Sequence, residues 1–493
     1  MVYTIRYVAM ALLGLLYWGV GCAQTTITTP RTKPNILFIL ADDLGVETLP
    51  CYGNDVNRTP NLGRLAQQGM KFTCAHATPL CSPSRVQLMT GKYNQRNYLA
   101  FGVLEKTEKT FATYLKEAGY RTGISGKWQL LGNDEQQQRA GNHEGALPGE
   151  VGFDEFCLWQ VQQRGSRYKN PTITCSTSGT HTYAGGYGPD IFSEFALSFM
   201  REHRDHPFFL YYPMVLVHPP FQPTPDSPGA DYQRQGEKGS NPKFFRDQVE
   251  YMDKLVGRVV DEVTSLGLAE NTLVLFTGDN GTGREITSTV KGQKIQGGKG
   301  LTTKYGTNVP LIAVWPGKIK PGQVNDNLVD FTDILPTLRE AAGQTPMPKE
   351  GLDGISLLKQ LRGETSRLRE WVFCYYFPQL NNDKKIIWAH DKTWKLYDDD
   401  RFYNFTQDPL EQNPLSAESL STEASTAKER LHHVIENQLA GSADQTTTTA
   451  VTTAETSAAK ANANAGKANA GKRGSKLTKE ERKARRQEEK GVR

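Results

Sequence analysis

Asn35-Ile-Leu-Phe-Ile-Leu40 is a continuous run that is apolar from Ile36 on, with Pro34 before it and Ala41-Asp42-Asp43 after it. A strand with one wet face alternates apolar and polar residues. A run with no alternation predicts a strand buried on both faces. Such a strand belongs inside a parallel sheet, and the chain beyond it agrees. Pro207 to Val217 is mostly apolar and aromatic, and Thr272-Leu-Val-Leu-Phe-Thr277 repeats the pattern, so two more buried strands are expected. Thr59-Pro60, then Leu62, Leu65 and Ala66, stopped by Gly69, predict a capped helix with proline at its first position. Phe111, Tyr114, Leu115 and Ala118 ahead of Gly119 predict another. Phe245, Val249, Met252, Val256, Val259 and Val263 step by four and three, one stripe of a long amphipathic helix that ends at Gly267. Alternation of this kind predicts an α/β fold, a large mostly parallel sheet sandwiched by helices, over residues 33–350.

A smaller region is expected over residues 365–440. Trp371-Val-Phe-Cys-Tyr-Tyr-Phe377, Lys385-Ile-Ile-Trp388 and Trp394-Lys-Leu-Tyr397 predict a C-terminal antiparallel sheet, closed by a helix around Ala427 to Leu439. The two ends differ from this body. Residues 1–23 form an export signal: Arg6 is the positive start, Val8 to Val20 the apolar stretch, and Gly21-Cys22-Ala23 the small residues for processing. Two routes fit. Either cleavage leaves Gln24 first, or Cys22 is lipidated and anchors the chain. From 441 to 493 the sequence is rich in Ala, Thr and Ser and then basic, too poor in apolar residues to offset the entropy of ordering, so a disordered basic tail is expected.

Composition excludes several classes. The chain has 493 residues, 37% hydrophobic, with a mean hydropathy of −0.55, which rules out a polytopic membrane protein. The 46 Gly and 26 Pro follow no period, so a collagen-like fibre is excluded. The 7 Cys are scattered and form no Cys-x2-Cys pair, which argues against a disulfide scaffold or structural zinc. The net charge of +5 misleads as a single figure. Residues 460–493 hold twelve Lys/Arg against four Glu, so the rest of the chain is mildly acidic and no nucleic-acid partner is expected.

The chemistry gathers where the buried strands end. One ends at Asp42-Asp43 and another at Asp279-Asn280. In a parallel sheet both pairs reach the same edge, where ligands of open α/β sheets bind. Three carboxylates at one point need a positive partner, and an all-oxygen set favours a hard cation, Ca²⁺ or Mg²⁺, over zinc.

Between these pairs lies Cys81-Ser-Pro-Ser-Arg85. Cys-x-Pro-x-Arg resembles the signature that marks a cysteine for oxidation to formylglycine in the type I sulfatases, arylsulfatase-like members of the alkaline phosphatase superfamily. The block Lys33 to Gly45, the Thr59-Pro-Asn-Leu helix, Gly126-Lys-Trp128, Phe276-Thr-Gly-Asp-Asn-Gly281 and Gly298-Lys-Gly300 resemble sulfatase blocks in the family's order. Val309 to Gly317 and Asp330 to Pro336 extend the resemblance, which spans residues 33 to about 415.

The resemblance implies an alkaline-phosphatase-like fold and sulfate ester hydrolysis. Formylglycine (3-oxoalanine) derived from Cys81 would act as a geminal diol, one hydroxyl attacking sulfur and the other expelling sulfate. It implies that Asp42, Asp43, Asp279 and Asn280 bind the metal, with position 81 completing the shell and Arg85 steadying the modified residue and the carboxylates. Lys127, His218 and Lys299 match sulfate-binding positions of the family, and Lys299 or His218 is the implied general acid, a step that gains from a group poised near neutrality. Maturation would need a formylglycine-generating enzyme.

Two positions depart from the family. Gln129 stands where His is common and is taken as a substrate contact that cannot carry a proton. Lys304-Tyr-Gly-Thr307 replaces the usual Tyr-Glu-Gly-Gly at the mouth of the site. Three sequons occur, at Asn57, Asn280 and Asn404. The one at Asn280 is set aside because a glycan there would destroy the metal site.

The expected activity is thus an exported bacterial sulfatase, periplasmic, secreted or lipid-anchored, acting on a sulfated glycan in nature and on aryl sulfates in an assay. Its specificity is expected in loops such as Tyr168 to Pro189 and Gln222 to Lys243. The alternatives are a phosphate or phosphonate ester hydrolase of the same superfamily and a catalytically silent protein that binds sulfated glycans. With Cys81 converted and Cys22 removed or lipidated, Cys51, Cys74, Cys157, Cys175 and Cys374 remain, an odd set that leaves at least one unpaired within the chain.

Overall fold

The computed structural model describes residues 33–228, 239–345, 350–381 and 383–441. The expected export signal, Cys22, the basic tail beyond 441 and residues 229–238 of the Gln222 to Lys243 loop lie outside the described residues. The chain divides into a unit ending at Ile435 and a second from Glu436, whose described residues 436–441 are helical. Everything below concerns the first unit. Among the described residues no helix is long and apolar enough to cross a membrane.

The strands are β1 (Asn35–Ala41), β2 (Met70–His76), β3 (Arg121–Lys127), β4 (Glu155–Trp159), β5 (Thr172–Cys175), β6 (Gly179–Thr182), β7 (Phe208–Pro213), β8 (Thr272–Gly278), β9 (Thr287–Val290), β10 (Gln293–Gln296), β11 (Asn308–Val314) and β12 (Gln323–Asp330). Ten of them form one sheet in the order β12-β2-β11-β8-β1-β7-β3-β4-β5-β6, and β9 and β10 make a separate hairpin. The central block β8-β1-β7-β3-β4 is parallel throughout. Beyond it, β11 runs antiparallel to both β8 and β2, and β5 and β6 are antiparallel at the other edge.

β1 behaves as its sequence requires. Ile36, Phe38 and Leu40 join one core, with Phe111 and Leu115 of one helix and Ile334 and Leu338 of another. Leu37, Ile39 and Ala41 join a second core, with Leu62, Phe192, Val249 and Val256 from helices on the opposite face. Each such side chain contributes about 1.5–3 kcal/mol by leaving water. The stripe from Phe245 to Val263 is buried along the helix Phe245–Ser265, as its spacing predicts.

Three expectations need correction. The run from Pro207 to Val217 is not one strand: β7 ends at Pro213, and residues 214–217 turn, still buried, around Asp42. Asp42 N–H donates to Leu216 O at 2.8 Å and Val217 N–H donates to Asp42 O at 2.8 Å, so the apolar sequence here wraps a strand end. Thr59 precedes the helix Pro60–Gln68 but does not cap it with its side chain. The carboxylate of Asp253, from the long helix, accepts from Asn61 N–H at 3.0 Å and Leu62 N–H at 2.8 Å instead. The strands β2, β11 and β12, which no periodicity announced, extend the sheet beyond β8, with β11 antiparallel to both its neighbours and β12 parallel to β2.

The C-terminal sheet is present as four antiparallel strands, β13 (Val372–Tyr376), β14 (Ile386–His390), β15 (Trp394–Tyr397) and β16 (Phe402–Asn404), with residues 422–435 helical. Cys157 and Cys175 pair as a disulfide between β4 and β5, and Cys51, Cys74, Cys81 and Cys374 are free.

Candidate active site

β1 and β8 run parallel with Ala41 opposite Gly278, so both acidic pairs leave the sheet side by side. The two pairs interlock. Asp43 N–H donates to Asp279 Oδ1 at 2.9 Å, and Asn280 Nδ2 donates to Asp43 Oδ1 at 2.9 Å. All four side chains are buried. Asp43 takes a left-handed φ of 63°, which a short Asp side chain tolerates.

Cys81 opens the helix Cys81–Thr90, which is buried along its whole length and ends at Gly91 in the left-handed region. Its Sγ and carboxylate oxygens of Asp42 and Asp279 all lie within 4.8 Å of one another, as do ligand atoms of Asp42, Asp43 and His218.

Cations surround this cluster. Lys127, the last residue of β3, places Nζ 2.9 and 3.0 Å from the two oxygens of Asp42. Gly126 before it has φ 123°, and a Cβ there would sit 2.0 Å from Pro213 O, so only glycine lets β3 deliver the lysine beside β7. Lys299 Nζ lies 2.5 Å from Asp43 Oδ2, and His218 Nε2 3.7 Å from the same atom. The ring Nδ1 of His218 is 2.6 Å from Pro219 O, so that nitrogen carries the proton and Nε2 faces the carboxylate unprotonated.

Sequence reasoning missed Arg167. Its guanidinium is buried, donates to Asp42 Oδ2 at 3.3 Å, and stacks on the Trp159 ring at 4.0 Å. It sits in the irregular stretch between β4 and β5, where no motif marks it. The one available signal was a pair of cysteines, Cys157 and Cys175, bracketing that stretch.

Three carboxylates meet here, but Lys127, Lys299 and Arg167 already neutralise much of their charge. Burial alone would raise Asp42, yet Lys127, His218, Arg167 and Lys299 overcome it and hold its carboxyl below the usual range. Asp43 is lowered in the same way, chiefly by Lys299 against its burial. Asp279 goes the other way: burial, then the charge of Asp42, hold it well above the usual range.

A cation is indicated instead by unmet hydrogen bonding. Asp279 Oδ2 and Asn280 Oδ1 are buried with no partner. An orphaned buried acceptor costs about 1–3 kcal/mol, and a hard cation would satisfy both oxygens at once. The donor set of three carboxylates and an amide oxygen fits calcium or magnesium, and Cys81 lies beside it.

One other predicted residue, Arg85, sits where the sequence put it but does something else. Arg85 does not reach the carboxylates. Its guanidinium donates to Lys127 O at 2.7 Å and Trp128 O at 2.5 Å, so it holds the backbone that presents Lys127. Gln129 is half-buried just past β3 with φ 50°, its N–H donating to Gln160 O at 3.0 Å. Burial lowers His218 to about 4; burial also pulls Lys299 down, but Asp43, Cys81 and Asp42 together overcome it and raise the lysine, so neither group titrates near neutrality.

A family model described as Sulfatase matches residues 34–344. The chain belongs to the sulfatase family. A second model, N-sulphoglucosamine sulphohydrolase, C-terminal, matches residues 299–439 of this sulfatase. Arylsulfatase A of Homo sapiens is 33% identical over 392 residues, covering 72% of this chain and 73% of that one. N-acetylgalactosamine-6-sulfatase of Homo sapiens is 30% identical over 401 residues, covering 74% and 73%. Among solved structures, one in complex with its substrate D-glucosamine-2-N,6-O-disulfate superposes with a TM-score of 0.68 at 20% identity, covering 84% of the sulfatase and 98% of that chain. The sulfatase is thus a sulfuric ester hydrolase with an alkaline-phosphatase-like fold.

Proposed function

We propose that this sulfatase is an exported, calcium-dependent enzyme that removes sulfate from a glycan, using formylglycine made from Cys81. The observation that carries the reading is the packing of the Cys81 thiol against Asp42 and Asp279 at the start of a buried helix. Burial raises the Cys81 thiol, so the unmodified side chain is a protonated, poor nucleophile, which suits a position whose chemistry follows conversion. Hydrated formylglycine supplies a hydroxyl for attack on sulfur, and a calcium ion held by Asp42, Asp43, Asp279 and Asn280 would favour its deprotonated form.

The chain's own residues do the rest. Lys127, Arg167 and Lys299 present positive charge to the sulfate oxygens. Lys299 is the proton donor to the leaving oxygen, because His218 has its ring N–H committed to Pro219 O. His218 and Gln129 remain substrate contacts. Arg85 fixes the Lys127 backbone, so its loss would act through Lys127.

A sugar substrate is supported by the relatives, which include an N-acetylgalactosamine-6-sulfatase and a structure holding glucosamine disulfate. Export is supported by the signal-like residues 1–23 and by the Cys157–Cys175 disulfide, a bond typical of oxidising compartments. Mass spectrometry of the peptide carrying position 81, from a host with a formylglycine-generating enzyme, tests the core of the reading. An aldehyde or its hydrate is expected. An unmodified thiol, in a host that converts other sulfatases, overturns it.

A further inference from the structure

The loop over residues 298–304 carries Lys299 and is held from two sides. On the active-site side, Lys299 N–H donates to Thr282 O and Gly300 N–H to Pro79 O, both at 2.9 Å. On the other side the C-terminal sheet grips Thr302. Lys395 Nζ, from β15, donates to Thr302 O at 2.5 Å and to Glu411 Oε1 at 2.6 Å. Tyr397 Oη, two residues along the same strand, lies 2.7 Å from Thr302 Oγ1 and also contacts Glu411 Oε2. At the loop's end, Lys304 N–H donates to Pro409 O at 3.1 Å, close to Glu411 in sequence.

The site of Lys395 is built for an ammonium. Its side chain is 0% exposed, and the rings of Trp388, Tyr397 and Phe405 lie 4.6, 4.9 and 5.2 Å from Nζ. A buried ion pair is a poor source of stability, since well-packed apolar residues of similar volume serve as well or better. What an apolar pair could not do is grip the carbonyl of Thr302 and, through the partner carboxylate, fix the tyrosine hydroxyl beside its side chain.

We propose that Lys395, Tyr397 and Glu411 are positioning residues for catalysis: by clamping Thr302 they set where the Lys299 ammonium stands against Asp43 and the sulfate ester. The inference rests on the reading of Lys299 as a sulfate-binding and proton-donating group. It makes the C-terminal sheet a working part of the active site although none of its residues reaches the acidic cluster.

The test uses the full chain with position 81 converted and an aryl sulfate as substrate. Tyr397→Phe and Thr302→Val delete the same contact from opposite ends and are mild enough to fold. Each is expected to lower kcat about tenfold with KM little changed, and to speed hydrogen exchange over residues 298–304. The double variant should be no worse than Tyr397→Phe alone, because the contact with Thr302 cannot be lost twice. Lys395→Met should lose more. If it fails to fold, the Tyr397 and Thr302 pair still decides the matter. Wild-type kcat in both single variants overturns the proposal, as does a loss of kcat that merely follows a lowered melting temperature without faster loop exchange. Lys299→Met separates the two ideas. If it keeps wild-type kcat, the role of Lys299 falls and the positioning role with it. If it loses activity while Tyr397→Phe and Thr302→Val do not, only the positioning role falls.

Discussion

Two buried clusters of charge lie in the same unit of this sulfatase, and they are finished differently. Around Arg369 every nitrogen of the guanidinium is satisfied: Nε meets Asp333 Oδ2 at 2.8 Å, one terminal nitrogen meets Tyr93 Oη at 2.9 Å, and the other meets Asp333 Oδ1 at 2.5 Å. Asp333 in turn accepts from the N–H groups of Asp330 and Ile355, at 2.9 and 2.6 Å. Around Asp279 the bonding stops short, with Asp279 Oδ2 and Asn280 Oδ1 left over. Both clusters are fully buried, so burial of charge does not mark a reactive site. What separates these two clusters is the hydrogen bonding: the one around Arg369 is saturated, and the one around Asp279 keeps spare acceptors for something that arrives later.

The largest expected effect falls on the unfinished cluster. Cys81→Ala should cut turnover of an aryl sulfate by about 10⁴-fold or more while leaving the melting temperature near wild type. A variant that kept its activity would make the active-site assignment wrong. The saturated cluster should show the reverse pattern. Arg369→Met strands Asp333 in the interior and should cost about 3–5 kcal/mol of stability by denaturant titration. Its kcat per folded molecule should stay close to wild type, and a selective loss of kcat would erase the contrast.

Glu47 tests the comparison from a third direction. It is buried, both carboxylate oxygens lack a well-formed hydrogen bond, and only Thr282 and its own backbone N–H favour the anion. Burial pushes it from 4.5 up to about 7, so in the folded chain it holds its proton through the mildly acidic range. The sign follows. A raised acid stabilises the fold fully below pH 4.5, and that contribution is lost as the pH climbs to about 7. Glu47→Gln should therefore lose about 3 kcal/mol less than wild type between those limits. Equal losses in the two proteins would show that Glu47 is ionised at neutral pH.

Smaller effects sharpen the metal side. Calcium at a hundredfold excess over its dissociation constant should stabilise the protein by about 2.7 kcal/mol, and a chelator should reverse this. Asp279→Asn should weaken the calcium response, whereas a calcium response unchanged from wild type would place the ion elsewhere. Arg167→Met should raise KM about tenfold, the size of one lost charge-assisted bond, with a smaller change in kcat. An unchanged KM would reduce Arg167 to a neutraliser of Asp42.

How much of this the sequence disclosed depended on whether the interaction was local. β1 announced itself because both of its faces need apolar residues, and Asp42-Asp43 and Asp279-Asn280 were legible because each pair follows such a strand directly. The parallel register then brings the pairs together without further instruction. Arg167 was illegible because it reaches Asp42 from an irregular segment, and neither period nor neighbour reports that. The insertion of β11 between β8 and β2 was hidden for a similar reason: an antiparallel strand within the sheet is placed by distant partners. Nothing local marks Lys395 or Glu411; their importance appears only when the fold closes aromatic rings around the lysine. The misjudged cap at Thr59 belongs in the same group, since the carboxylate that serves it comes from Asp253, far along the chain.

β1 is paired on both edges, by β7 and β8, and packed on both faces. Its amide hydrogens thus have no route to solvent through fraying of an edge or a wet face. They should exchange only when the whole unit opens, at rates that report its global stability. Asp42 and Asp43 follow directly from that strand. The acidic site therefore has no partly open form of its own at this end, and its shape persists for as long as the folded domain does.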